Sequence, residues 1–299
     1  MLKIQDYFKD EKIFAKLMNL IVPYTGFKNM RIEKNSKGSV LYVDDTAELW
    51  FDNKNKIIKM YLPAVKELRY GSIPCEILGN ATEFVFPNLE RVDDEVDGFA
   101  MAKKVVAPNL KIVGNYVDCS PKLQEFDAPS LNIAGKCFLR NAFGLKIINV
   151  PKLEEVGSSF LAYNEQLEEI SLPSLRGCIG ACLVYNEKLI KLYAPKVEEI
   201  DDSFRSVKLE NLDLPNVVLI AGSSFNYSDK LREVNLPKLQ ESKSTNSLIV
   251  QALNDNMRLK QEKRKTTEKL KRVTNNIKNT IGVTHHKKIG GVENTEHNR

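Results

Sequence analysis

Leu167-Glu168-Glu169-Ile170-Ser171-Leu172-Pro173-Ser174-Leu175 is a phrase that the chain repeats along most of its length. Each copy closes on a proline, at Pro63, Pro87, Pro108, Pro129, Pro151, Pro173, Pro195, Pro215 and Pro237. The gaps between them are 24, 21, 21, 22, 22, 22, 20 and 22 residues. A period in the twenties marks a stacked repeat, in which a unit too small to bury its own apolar face is closed by its neighbours.

Alignment on the proline yields four apolar columns. They lie six residues before it (Ile57 through Leu167 to Leu231), three before (Met60, Ile170, Val234), one before (Leu62, Leu172, Leu236) and two after (Val65, Leu175, Leu239). Alternation over the last four residues before the proline has a period of two, so each unit holds a short strand with one face inward. Proline at the strand exit stops the ladder where its missing N–H does least harm. Beyond it come a fifth apolar position (Val92, Val113, Val156, Ile200, Ile220), glycines near Gly114, Gly135, Gly157, Gly180 and Gly222, and an aromatic such as Phe138, Phe160, Phe204 or Phe225. About nine such coils, stacked as parallel strands, fill residues 57–242.

The flanks read differently. Residues 1–56 form a cap of mixed helix and strand over the open apolar end. Ile13, Phe14, Leu17, Leu20 and Ile21 give an amphipathic helix from Lys9 to Val22 that ends before Pro23. Val40–Val43 and Glu48–Phe51 read as strands around Asp44-Asp45-Thr46. At the other end the fifth column becomes Ser242, and Glu241 to Asn246 reads as a polar linker. A basic helix follows over residues 247–281 with Ser247 as its cap, so residues 243–281 are linker and helix. Residues 282–299 read as a disordered tail.

Charge separates the same parts. The net charge is +5 overall, but residues 1–240 hold 31 Lys/Arg against 33 Asp/Glu and residues 241–299 hold 13 against 6. Nucleic-acid or acidic-surface association therefore concerns the helix alone. No aromatic follows Tyr227, so base stacking has no platform and such contact is weak. Sustained heptads of a coiled coil are absent, and the oligomeric state is not set by the sequence. Met1 to Asp6 lacks the basic and apolar pattern of an export signal, and no run of eighteen apolar residues occurs. With five irregularly spaced cysteines, this predicts a cytoplasmic protein with reduced thiols.

The residues for catalysis are missing from the repeats. All three histidines, His285, His286 and His297, fall in the tail, which removes Cys-His and Ser-His chemistry from the folded body. Cys178 and Cys182 form a C-x-x-x-C, yet Cys178 holds the fifth apolar column and Cys182 sits near the aromatic one, so both read as core thiols. Cys75, Cys119 and Cys137 complete no zinc framework, and no phosphate-binding glycine loop occurs. The outward carboxylates Glu83, Glu125, Glu169, Glu233, Asp127 and Asp213 share an open face, with no pocket to displace a pKa. No enzyme activity, cofactor or metal is expected.

The pattern Leu-x-x-Ile-x-Leu-Pro-x-Leu-x-x-Val-Gly-x-x-Phe resembles the leucine-rich repeat superfamily, and within it the BspA-type (Treponema-type) class. The resemblance implies a β-rich curved solenoid that binds other macromolecules, without cofactor or catalysis. Members of that class are often secreted or surface-exposed, whereas this chain shows no export signal; their units often hold Cys after the Phe, where Asn164 and Asn186 stand here. Solvated sheet faces are usually polar, so outward apolar residues among charged ones mark a contact surface for a protein partner. The candidates are Tyr61, Val85, Val106, Ile147, Glu169, Lys191, Tyr193 and Asp213.

Overall fold

The computed structural model describes residues 30–35, 38–43, 47–52, 54, 56–69, 81–96, 102–117 and 121–289. The helix expected from Lys9 to Val22 lies outside these residues, as do Cys75, Cys119, His297 and the side chains of His285 and His286.

Strand-forming residues open the described chain as a meander, β1 (Met30–Asn35), β2 (Gly38–Val43) and β3 (Ala47–Phe51). β2 and β3 match the two strands read from the sequence; β1 was not expected. β3 pairs antiparallel with β4 (Ile57–Tyr61), the first strand of the repeats. Each coil then places one short strand before its proline and one after: β5 (Glu67–Leu68), β6 (Glu83–Val85), β7 (Arg91–Val92), β8 (Lys104–Val106), β9 (Ile112–Val113), β10 (Glu125–Asp127) and β11 (Ile133–Ala134). The series continues with β12 (Ile147–Asn149), β13 (Glu155–Val156), β14 (Glu169–Ser171), β15 (Gly177–Ile179) and β16 (Lys191–Tyr193). It ends with β17 (Glu199–Asp201), β18 (Asn211–Asp213), β19 (Leu219–Ala221), β20 (Glu233–Asn235) and β21 (Glu241–Ser242).

The even-numbered strands from β4 to β20 form the face expected from the alternation. Pairing is parallel and one coil apart, so Met60, Phe84, Val105, Phe126 and Ile148 stand in register. Three of the four apolar columns are buried throughout. The third-before-proline column is closed at Met60, Phe84, Val105 and Phe126 but only partly buried at Ile148, Leu192 and Val234. This loosening follows the hydrogen bonds. β12 and β14 fall in different sheets, as do β16 and β18, leaving β14–β16 as a two-stranded ladder. The N–H before the proline donates to the next coil at Leu62, Phe86, Ala107, Ala128, Leu172 and Leu214, and the series skips Val150 and Ala194. The second break lies in the shortest coil, between Pro195 and Pro215; the chain length gives no account of the first.

Where the strands part, the returning arc of each coil holds the stack. Tyr163 N–H donates to Val184 O (2.9 Å) and Leu183 N–H to Phe160 O (2.8 Å) across the first break. The arc alternates handedness: Ser159, Leu161 and Tyr163, then Ala181, Leu183 and Tyr185, have positive φ without being glycine. Each such residue costs about 1 kcal/mol, which the inter-coil bonds offset. Buried polar side chains serve the same arc. Asn186 accepts from Asn164 N–H (2.7 Å) and donates to Leu161 O (2.9 Å), while Asn164 donates to Leu139 O (2.9 Å). These asparagines stand where units of the resembled class often hold a cysteine.

Polarity at the C-terminal end has the same cause, which corrects the reading of Glu241 to Asn246 as a linker. β21 pairs with β19, Ser244 Oγ donates to Ser224 O (2.8 Å) and Thr245 bonds Asn226 (2.7 Å), so these residues form a last rung. Helix α1 (Ser247–Ile289) starts on it. Its cap is Asn246 rather than Ser247, because Asn246 Oδ1 accepts from Leu248 N–H (3.1 Å). Ile249 is fully buried, with Leu248, Ala252 and Leu253 against the core. The compact unit runs to Leu253 and a second unit starts at Asn254. α1 continues through residues 282–289, which the sequence assigned to a disordered tail; Gly282 costs a helix only about 1 kcal/mol.

Two substitutions test these supports. Asn186→Leu strands the Leu161 carbonyl and the Asn164 N–H inside the core and is expected to lower the urea-unfolding free energy by about 3 kcal/mol. Gly135→Ala places a Cβ against the Gly114 carbonyl and 2.6 Å from Asn115 N, and is expected to cost about 2 kcal/mol or more in the same measurement.

Candidate functional site

The face strands present two outward rows, four and two residues before each proline. From β4 to β10 these rows cover themselves. Lys59 pairs with Glu83 (2.9 Å) and Lys104 with Glu125 (2.8 Å), and the hydrogen bond to Glu125 raises Lys104 above the ordinary lysine value. Tyr61, Val85 and Val106 lie half-buried between such neighbours.

From β12 onward the face opens. Ile147 is 59% exposed, Tyr193 58% and Ile190 45%. They border a groove of about 630 Å³ that runs over β12, β14, β16 and β18, across both sheet interruptions. Five of the eight sequence candidates line it: Ile147, Glu169, Lys191, Tyr193 and Asp213. Tyr61, Val85 and Val106 do not. Within the groove the charges are partly matched, and Lys146 has no ion-pair partner among the described residues. Lys191 pairs with Glu169, and Asp213 accepts from Asn235 (2.8 Å). Ile190, one position outside the outward rows, was missed because the alternation alone gives no sign that the sheet parts beside it.

Cys178 and Cys182 occupy the core columns expected of them, and both are buried. Their mutual hydrogen bond and burial push the Cys178 thiol well up, keeping it neutral and a poor nucleophile. Cys182 Sγ donates to Ile179 O (3.3 Å). On the returning arc, Tyr163 stacks on Tyr185 (4.9 Å), with Arg140 over the first ring (5.6 Å) and Arg205 over the second (6.0 Å). The sequence reading passed over this ladder, although the tyrosines share one column twenty-two residues apart. A neighbour covers each outer ring face, so the ladder supports the arc and offers no open aromatic platform.

The family profile described as BspA type Leucine rich repeat region (6 copies) matches residues 100–204 and 198–279. The chain belongs to this family. Among solved structures, a leucine rich cell surface protein from Faecalibacterium prausnitzii A2-165 is 17% identical, covering 68% of this chain and 55% of its own, with a TM-score of 0.43. The chain thus spans about half of that protein. A T. pallidum leucine rich repeat protein is 14% identical, covering 66% of this chain and 81% of its own, with a TM-score of 0.38. A leucine-rich repeat protein from Bacteroides ovatus is 11% identical, covering 75% and 77%, with a TM-score of 0.29. A search of curated protein sequences finds no match.

Burial of the two thiols in this BspA-type solenoid has a direct consequence. In a variant carrying Cys75→Ser, Cys119→Ser and Cys137→Ser, the remaining thiols are expected to resist a colorimetric disulfide reagent until denaturant unfolds the chain, and then both to react. Rapid labelling in the folded state would refute the core assignment.

Proposed function

We propose that this repeat protein is an interaction scaffold whose groove over β12 to β18 takes an apolar or aromatic segment of a protein partner. The observation that carries the reading is the concentration of Ile147, Ile190 and Tyr193 in one groove, where Glu169 and Lys191 pair with each other. A paired charge has little left to offer a partner, whereas an exposed apolar side chain gains by leaving water. Leucine-rich repeat solenoids are typically non-enzymatic scaffolds, which fits this use of the face.

We further infer a reducing, cytoplasmic setting, supported by the irregular spacing of the five cysteines, which offers no regular disulfide framework. Among the described residues no helix is long and apolar enough to cross a membrane. The basic helix brings no aromatic side chain for base stacking, so no observation favours nucleic acid as the principal partner.

The test is capture of partners from the native host with the wild type, Ile147→Glu/Tyr193→Glu, and a control, Tyr227→Glu. Tyr227 is exposed and lies outside the groove. A partner recovered by wild type and control is expected to bind the double variant at least about tenfold more weakly in a titration with purified proteins. Equal binding by all three, at unchanged melting temperature, would remove the groove as the site.

A further inference from the structure

Helix α1 carries a seam that the groove does not use. Every described side chain from Met257 to Lys278 is exposed, including Leu259 (55%), Leu270 (62%), Val273 (54%) and Ile277 (54%). A helix that is polar on most of its surface and has no packed face is marginal by itself in water. Apart from Met257 and, nearer the solenoid, Val250, its exposed large apolar residues are not scattered. Leu259, Lys263, Thr266, Leu270, Val273 and Ile277 follow one another at intervals of four, three, four, three and four, the a/d pattern of a heptad. Two of the six are polar by residue type, which hides the seam from a search for apolar runs. The structure changes the reading of one of them. Thr266 Oγ1 donates to Glu262 O (3.0 Å), so its hydroxyl is satisfied within the helix and its methyl group is available to the seam. Thr267 and Thr274, on the flank of the seam, bond back to Lys263 O (2.9 Å) and Leu270 O (2.9 Å) in the same way.

The charges specify what covers this seam. In a parallel pair of such helices each g residue faces the e residue five positions later on the other strand. Asp255 then faces Lys260, Glu262 faces Thr267 and Lys269 faces Thr274. One pair attracts and none repels. Arg258, Arg264, Lys265, Lys271, Arg272 and Lys278 all fall at b and c positions, away from the contact. The seam is also narrow. An amphipathic helix lying in a lipid interface needs a broader apolar arc, and commonly aromatic anchors, which this helix lacks.

We propose that a second copy of this chain pairs with the first along Leu259–Ile277, as a parallel two-stranded coiled coil. Lys263 at an a position weakens the pair and makes it concentration-dependent. Pairing would give the assembly two partner-binding faces, so binding to a multivalent partner would gain by effective concentration.

Sedimentation equilibrium of the full-length protein tests this. At about 100 µM the expected mass is twice the 33.9 kDa of one chain, falling towards one chain on dilution. Leu270→Glu/Ile277→Glu is expected to be monomeric at all concentrations, with the melting transition of the solenoid kept. Lys263→Leu is expected to tighten the dimer by roughly tenfold or more. That gain does not depend on a destabilised variant. Asp255→Lys should weaken the dimer roughly fivefold, and adding Lys260→Glu should restore it, a rescue that requires parallel contact between chains. A wild type and Lys263→Leu that both remain monomeric at about 100 µM would overturn the proposal. So would a trimer, or a charge swap without rescue. Anionic vesicles provide the competing outcome: retention on them that is lost in Leu270→Glu/Ile277→Glu, with no dimer in solution, assigns the seam to a lipid surface instead.

Discussion

The structure depends on one constraint: no coil can satisfy its own backbone or bury its own face, so every coil must lie in register with the next. The strand bonds between Phe84, Val105 and Phe126 and the arc bonds between Phe160 and Leu183 answer the same demand on two sides of the stack. Either set can fail locally while the other persists. That redundancy lets the face sheet break at β12 and β14 without the core opening, since Val150, Leu153 and Phe160 stay buried at that level. A globular sheet with a single set of ladder bonds would have no comparable tolerance.

The groove follows from where that tolerance is used. An intact stretch of the face, from β4 to β10, brings adjacent side chains close enough to pair and cover one another, as Lys104 and Glu125 do. At the breaks the rows separate, and residues that would otherwise be half-covered reach solvent. Ile147 and Tyr193 are exposed for this reason, beyond being apolar at outward positions. Val85 and Val106 are equally apolar and equally outward, yet half-buried. The difference lies in the packing of neighbouring coils, which identifies the candidate site as a property of the stack rather than of single residues.

That distinction also sets what was legible in the sequence. Column positions depend on the proline period alone, so the strands, the buried leucines and the core placement of Cys178 and Cys182 could be read directly. Features that depend on a hydrogen bond to another coil could not. Ser244 and Thr245 look like linker residues until Ser224 and Asn226 are seen beside them, and Asn246 outranks Ser247 as cap only because the last rung aims its side chain at Leu248 N–H. The alternating positive φ of Leu161, Tyr163, Leu183 and Tyr185 is hidden for the same reason. These residue types do not favour that conformation by themselves, and the neighbouring coil's acceptors hold them in it.

The asparagine pair shows how far this logic reaches into the core. Asn186 uses its oxygen on the Asn164 N–H and its amide on the Leu161 carbonyl, so both halves of its side chain are satisfied by the one coil before it. Asn164 repeats the donor half, but its Oδ1 is buried without a partner. One coil earlier the corresponding residue is Ala142, whose N–H does not donate to Asn164 Oδ1, so the relay ends there. A polar residue in a solenoid core is therefore affordable in series and costly at the end of one. The same rule accounts for the serines Ser203 and Ser224 further along. Ser203 Oγ accepts from Cys182 N–H (3.1 Å) and Ser224 Oγ accepts from Ser203 N–H (3.2 Å), while on the last rung Ser244 Oγ donates to Ser224 O.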